Sequence, residues 1–432
     1  MLTIKTLKQN LLDGVYDAKL ARVYCKDIKN LQSVHDRICR VADSWMKEFG
    51  KNADDAVAIF SAPGRTEIGG NHTDHQRGKV LAGSVDMDAL ACAAPNGTDM
   101  VNIFSEGYGL ISVNCRENEA RKEEENTTVA LIRGIVSEIA KKGYPVKGFD
   151  AFVTSDVPGG SGLSSSACFE VLIGVIVNDL FCGSNLRPDE IAKIGQIAEN
   201  VYFGKPSGLL DQMGCAIGGI VTIDFSSVDT PFFRVVTYDF AKAGYALCII
   251  DTGADHADLT GDYAAVPAEM KAVAAYFGKE VLVEVDEKDF YRELGKIREK
   301  TGDRAVLRAV HYYNDCRRVV KQVEALENND FDTFLKLVKE SGQSSFMYLQ
   351  NIDTFRKTEK EPVAVALAVA EHLLQGKGAF RVHGGGFAGT IQAYVPLDMT
   401  DAFKAGMDAL LGEGACRITS IRPVGGITLI EE

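Results

Sequence analysis

The stretch that most constrains this chain is Pro158-Gly159-Gly160-Ser161-Gly162-Leu163-Ser164-Ser165-Ser166-Ala167, which runs directly into an almost wholly apolar segment, Val171 to Val177. A helix starting at Ser164 to Ser166 and continuing through that segment has no polar face, so it is expected to lie buried between layers. Glycines let backbone N–H groups turn toward an anion with no Cβ in the way, and the first amides of a helix add the positive end of its dipole. The serines supply hydroxyl donors. A plain helix cap needs only one of them, so the composition points to a phosphate cradle. No G-x-x-x-x-G-K-[ST] occurs, which excludes a Walker-type loop.

Bulk properties narrow the class. The 432 residues are 46% hydrophobic and 25% charged, ordinary for a globular chain of two or three domains. The formal charge of −13 repels polyanions, so neither nucleic acid nor an anionic membrane surface is an expected partner. Met1 to Asp17 lacks a signal-peptide core, and no segment is expected to span a membrane, so a cytoplasmic location is expected. The ten cysteines, Cys25 to Cys416, include no C-x-x-C pair and read as buried free thiols. A monomer is expected, with a homodimer as the alternative.

Along the chain, Val34, Ile38, Val41, Trp45 and Phe49 recur at helical spacing and Gly50 follows as a stop, so the first fifty or so residues read as an added helical layer. Ala56 to Phe60 reads as a strand that ends in a loop at Ser61-Ala62-Pro63-Gly64, with a further loop carrying Asn71-His72-Thr73-Asp74-His75. The charged run Arg116 to Asn126 reads as a solvated loop. Val129, Ile132, Ile135, Val136 and Ile139 form a helical stripe closed by Gly143 and Pro145. A polar connection, Phe225 to Tyr245, precedes the strand-like Ala246 to Ile250 and places a domain boundary near residue 240, giving domains 1–240 and 241–432. The mixed order of strands and helices, without repeats, reads as α+β.

A second glycine cluster, Gly384-Gly385-Gly386-Phe387-Ala388-Gly389, formally matches G-x-G-x-x-G. Its flanks, Ala379 to Val382 and Thr390 to Val395, both look like strands, so it lacks the helix that a dinucleotide fold requires. A close-approach loop or a plain hairpin fits, and a dehydrogenase does not.

Together these segments resemble the GHMP small-molecule kinases, and within them the galactokinases, from about residue 55 to the C-terminus. The resemblance rests on Ala62-Pro63-Gly64-Arg65 with Gly70-Asn71-His72-Thr73-Asp74-His75, on the Pro158 to Ala167 loop, on Gly208-Leu209-Leu210-Asp211-Gln212 and on the Gly384 to Gly389 turn. Tyr263 and the helix around Arg308 to Asp315 add weaker matches. Three positions depart from the pattern: Asn71 stands where these kinases carry Glu, His75 where they carry Tyr, and His383 where Thr is usual.

The resemblance implies a two-domain α+β fold, with an N-terminal domain like ribosomal protein S5 domain 2, a C-terminal α/β domain and the active site in the cleft between them. It implies ATP and Mg²⁺ as cofactors and a small sugar as substrate, phosphorylated to a sugar 1-phosphate. Asp211 with Arg65 is then the catalytic pair. Gly159, Gly160, Ser161, Gly162, Leu163, Ser164, Ser165 and Ser166 hold ATP, and Ser166 with Glu199, twelve residues before Asp211, holds the metal. Asn71, His72, Asp74, Gly208 and Tyr263 contact the sugar. A neutral Asn71 suggests relaxed selectivity near the sugar C6, with galacturonate or another hexose as the alternative substrate. A non-catalytic galactose and ATP sensor is the alternative of another class; such sensors lose the Ser-Ala pair that Ser166-Ala167 retains here.

Overall fold

The computed structural model describes residues 1–159, 162–227, 231–253, 259–354 and 359–431. Its strands are β1 Leu2–Thr3, β2 Ala56–Gly69, β3 Lys79–Pro95, β4 Met100–Ser105, β5 Gly109–Asn114, β6 Phe149–Ser155, β7 Ile220–Asp224, β8 Phe232–Val236, β9 Tyr245–Asp251, β10 Ala379–His383, β11 Thr390–Pro396, β12 Cys416–Thr419 and β13 Ile427–Ile430. A nine-stranded sheet runs β1-β2-β3-β6-β4-β5, with β13 on β2, β7 on β3 and β8 on β7. A four-stranded antiparallel sheet runs β10-β11-β9-β12.

Strand β2 organises the large sheet because its side chains alternate between two separate cores. Val57 and Ile59 pack with the N-terminal helices Ile4–Leu12, Asp17–Val23 and Gln32–Phe49, through Leu7, Leu20, Ile38 and Trp45. Ala58, Phe60 and Ala62 face the other way, onto helices Ser165–Cys182 and Leu210–Ile217, behind which helices Thr128–Lys141 and Pro188–Ile197 complete the same core. The expected N-terminal layer therefore covers the sheet over the first part of β2, the second part of β3 and β6, while Ile68 of β2, Leu81 of β3 and Ile220 of β7 pack with helices Asp303–Glu327 and Phe331–Ser344. Gly50 ends its last helix in the left-handed conformation, at φ 62°.

Helix Ser165–Cys182 is the expected buried one. By length and composition it could cross a membrane, with a mean hydropathy of 1.6, which corrects the expectation that no segment comes close. It lies instead in the protein core, with 67% of its residues buried.

Three further expectations are corrected. Strand β2 does not break at Pro63-Gly64 but continues to Gly69. The register shifts between Pro63 and Arg65 because β3 bulges outward there, Val85 pairing with Ile421 instead, so the N–H that proline lacks is not needed. The polar connection after Phe225 contains β8, an edge strand whose exposed Phe232 and Val235 hide the alternation. Finally, the run Arg116 to Asn126 is not purely solvated: Glu124 accepts from Arg133 Nε at 2.7 Å, pairing a buried arginine of helix Thr128–Lys141.

The chain leaves the large sheet after Val236 and enters the small one at Tyr245. A division at residue 240 separates the two sheets except for β13, which crosses back onto β2. Helices Pro362–Leu374 and Thr400–Leu411 cover the small sheet, and helices Thr260–Tyr276, Asp303–Glu327 and Phe331–Ser344 build the remaining cores.

Candidate active site

The second half of β2 brings the sequence motifs together. Arg65 points from it to the start of helix Leu210–Ile217, where its Nε and NH2 reach Asp211 Oδ1 at 2.7 and 2.6 Å. Its NH1 donates to the carbonyl of Gly162, and its backbone N–H donates to Leu163 O at 3.0 Å, tying β2 to the glycine-rich loop. The approach is close: a Cβ on Gly64 would stand 2.9 Å from that same carbonyl, so glycine is required.

The other oxygen of Asp211 accepts from the Ser164 hydroxyl. Burial disfavours both charges, but each partner outweighs it for the other. Asp211 lies below the usual carboxylate range through Arg65 and Ser164, and Arg65 lies above its own range through Asp211, so both are ionised. The Asp211 side chain remains 39% exposed, open to an incoming molecule.

Ser164 is at φ 57°, a left-handed conformation that costs a non-glycine residue free energy, and its side chain does not cap helix Ser165–Cys182. Among the described residues, no side chain accepts from the leading amides of that helix, as an anion cradle requires. Gly159 and Gly162 precede Ser164, while Gly160 and Ser161 lie outside the described residues. Ser165 and Ser166 sit half-buried in the first helical turn.

Asp74 and Gly208 are placed together, since a Cβ on Gly208 would stand 2.0 Å from Asp74 Oδ2. They line a cavity of about 350 Å³ together with Arg77, Gln196 and Leu209. His72, at φ 57°, donates from Nε2 to Gly385 O at 2.8 Å, which leaves its buried Nδ1 as an acceptor with no partner among the described residues. Burial, then the neighbouring His75, pushes the His72 pKa down to about 3, so the ring is neutral. Tyr263 donates to Gly386 O at 2.5 Å and packs edge-on against Phe387.

Asn71 does not join this open group. It is fully buried, and its amide is engaged by protein on every side. Nδ2 donates to Glu67 Oε1 at 3.0 Å and to Gly384 O at 2.6 Å, and Oδ1 accepts from Asn351 Nδ2 at 2.8 Å and Ser345 Oγ at 3.2 Å. The expected contact with the sugar near C6 is corrected accordingly. Asn71 instead ties the first motif of the resemblance, Ala62 to His75, to the third, the Gly384 to Gly389 turn.

The third motif is the β10–β11 hairpin, and His383 anchors it to β2. Glu67 N–H donates to His383 Nε2 at 3.0 Å, so the proton sits on Nδ1, which donates to Thr390 Oγ1 at 2.8 Å. Burial, then Arg65 and Arg381, keeps this ring neutral.

Glu199 is buried in the turn of helix 198–203, and its carboxylate receives Lys205, Ser207 and Gln212. Gln212 Nε2 bridges Glu199 and Glu170, at 3.0 Å to each. Glu170 lies one turn beyond Ser166 on the same helix face. Burial, then the nearby Glu199, raises its pKa well above the carboxylate range.

Sequence reasoning missed Glu67, Arg381, Glu170 and Lys205. Only Glu170 left a local signal, as an acid inside the apolar stretch Ala167 to Val177 of a helix whose other acid, Asp179, stands in the last turn. Arg381, on the buried strand β10, donates to Ile68 O at 3.0 Å and pairs with Glu67, linking the two sheets.

Comparisons with known proteins agree with this arrangement. A family model described as GHMP kinases N terminal domain matches residues 130–219, and one described as galactokinase galactose-binding signature matches residues 43–95. A galactokinase of Glaesserella parasuis is 31% identical over 353 residues, covering 79% of this chain and 86% of that protein. One of Streptomyces coelicolor is 29% identical over 376 residues, covering 85% and 93%. Among solved structures, Lactococcus lactis galactokinase complexed with galactose superposes with a TM-score of 0.77 at 23% identity, covering 90% of this chain and 99% of that one. L. major mevalonate kinase superposes with a TM-score of 0.57 at 14% identity, covering 86% and 97%.

The fold, with the phosphate-type loop set against an Arg–Asp pair, defines a GHMP kinase, a phosphotransferase with an alcohol acceptor. Within that superfamily the chain belongs to the galactokinase family.

Proposed function

We propose that this protein is a cytoplasmic galactokinase that transfers the γ-phosphoryl group of ATP to the anomeric hydroxyl of galactose, giving galactose 1-phosphate and ADP. The observation that supports the reading most directly is the ionised Asp211, held between Arg65 and Ser164 yet open to the cleft. Such a carboxylate accepts a hydrogen bond from the sugar hydroxyl, aims its lone pair and takes the proton as phosphoryl transfer proceeds. Its depressed pKa makes it a weak base, so orientation is the larger part of its role. Arg65, shared between Asp211 and the loop, offsets charge that develops on the transferring group.

The ATP phosphates belong on the uncapped start of helix Ser165–Cys182, with Gly159 through Ser166 as the cradle. Asp74, Gly208, His72 and Tyr263 surround the sugar. The free Nδ1 of His72 suits a hydroxyl donor, because a buried acceptor left unmatched costs about 1–3 kcal/mol. Ser166 and Glu199 would hold Mg²⁺; one hydroxyl and one carboxylate completed by phosphate oxygens and water suit this ion. Bound there, it would supply charge compensation on the phosphate oxygens.

ADP release with MgATP, assayed across galactose, galacturonate, glucose, N-acetylgalactosamine and arabinose, tests the reading. Galactose-dependent turnover that falls about 10²- to 10⁴-fold in Asp211→Asn is expected. Turnover with another of these sugars alone would move the substrate, and none with any sugar would refute the kinase.

A further inference from the structure

The two oxygens of Glu199 are held in different ways. Oε2 accepts from Ser207 Oγ at 2.6 Å and from Gln212 Nε2 at 3.0 Å, both neutral donors fixed by the surrounding fold. Oε1 receives Lys205 Nζ at 2.9 Å. The lysine side chain is 59% exposed while the Glu199 side chain is 5% exposed, so a solvated arm caps a buried carboxylate. The Lys205 backbone is held separately, its N–H donating to Glu199 O at 3.1 Å, so the arm can swing without moving the chain.

A buried carboxylate without a counter-charge is costly, whereas a half-solvated lysine pair is weak and easily exchanged. The ammonium also lies within electrostatic range of Asp211, whose carboxyl it helps to hold below the usual range.

We propose that Lys205 is an exchangeable counter-charge. It neutralises Glu199 while no divalent cation is bound, yields Oε1 when the cation arrives, and then presents its ammonium to the phosphate oxygens of the nucleotide. A compact, rotatable ammonium on a flexible stem suits both positions. The inference rests on Glu199 being the metal residue of the proposed kinase.

The test titrates Mn²⁺ alone into the full-length wild type, Lys205→Met and Glu199→Gln, reading free ion by electron paramagnetic resonance, with kcat for MgATP and galactose measured in parallel. Lys205→Met is expected to bind Mn²⁺ roughly two- to five-fold tighter, the strength of an exposed pair removed from competition. Its kcat is expected to fall about tenfold, as when one phosphate contact is lost. Glu199→Gln should lose the ion. Unchanged or weaker Mn²⁺ binding in Lys205→Met overturns the exchange, and an unchanged kcat overturns the phosphate contact. Full Mn²⁺ binding by Glu199→Gln would instead overturn the metal assignment beneath both.

Discussion

Replacing Asn71 by Glu, the residue that the galactokinase pattern carries there, is expected to damage the fold rather than retune the substrate site. A carboxylate in that position can still accept from Asn351 and Ser345, but it turns both donated hydrogen bonds into repulsive contacts, with Glu67 Oε1 at 3.0 Å and Gly384 O at 2.6 Å. Two like charges about 3 Å apart at an effective dielectric of about 20 repel by roughly 5 kcal/mol. The buried arginines that face Glu67 are already paired, Arg381 with Glu67 itself and Arg65 with Asp211. The new acid can escape by staying protonated, at about 1.4 kcal/mol for each of the roughly 2.7 units by which neutral pH exceeds the ordinary glutamate pKa, or about 4 kcal/mol, and its extra methylene adds about 1–3 kcal/mol of overpacking. A net loss of about 5–7 kcal/mol follows. Urea unfolding measures it, and the double variant Asn71→Glu with Glu67→Gln should recover much of the loss, since it removes the second charge. If Asn71→Glu unfolds at the wild-type urea midpoint with an unchanged slope and shifts the sugar preference, position 71 faces the substrate and the reasoning fails.

Gly208→Ala places a methyl group against the flexible end of Asp74, at 2.0 Å before relaxation, so the carboxylate must swing away. The KM for galactose should rise by about tenfold with stability changed by less than about 1 kcal/mol, and an unchanged KM would separate Asp74 from the sugar. The His72 imidazole, with its pKa held at about 3 by burial, should show C–H NMR shifts that stay flat from pH 8 to pH 5; a midpoint near 6.5 would contradict the buried Nδ1 acceptor. Glu170 has its pKa raised by burial and then by Glu199, so its stabilising contribution is complete below the ordinary carboxylate pKa and is lost as pH rises toward its folded value. Glu170→Gln keeps a neutral group throughout, and its stability relative to wild type should grow from pH 5 to pH 8, by up to about 1.4 kcal/mol per unit; a constant difference would show that Glu170 is ionised across that range.

Much of the fold was legible because several segments report their own environment. The apolar run after Ser166 has no face to offer water, and the spacing of Val34, Ile38, Val41 and Trp45 marks a one-sided helix. Strand β2 was legible only in part, for two reasons. Both its faces are buried, so Val57 and Ile59 on one side and Ala58 and Phe60 on the other give a continuous apolar run rather than an alternation. Its passage through Pro63-Gly64 depends on the bulge of a different strand, around Val85, which no local rule about proline can foresee. Strand β8 failed for the opposite reason, since as an exposed edge it is not required to alternate.

The candidate site divides along the same line. The residues proposed to do chemistry stand in short motifs, so the glycine-rich loop could be read from its own composition, and Arg65 and Asp211 through the resemblance to the GHMP kinases. What each side chain faces is decided by partners far away in sequence. Asn71 looks like a substrate contact until Glu67, Asn351, Ser345 and Gly384 are seen to use up its amide. Ser164 looks like a phosphate donor or a cap until its hydroxyl is found on Asp211. In the first case the physical unit is not position 71 but the set Glu67, Asn71 and Arg381. One buried guanidinium balances one buried carboxylate, and the neutral amide donates to that carboxylate without adding a second negative charge. A glutamate at 71 would require a different residue at 67. The substitution of Asn for Glu therefore records how this chain balances buried charge, and it leaves in place His72, Asp74, Gly208 and Tyr263, the residues proposed to contact galactose.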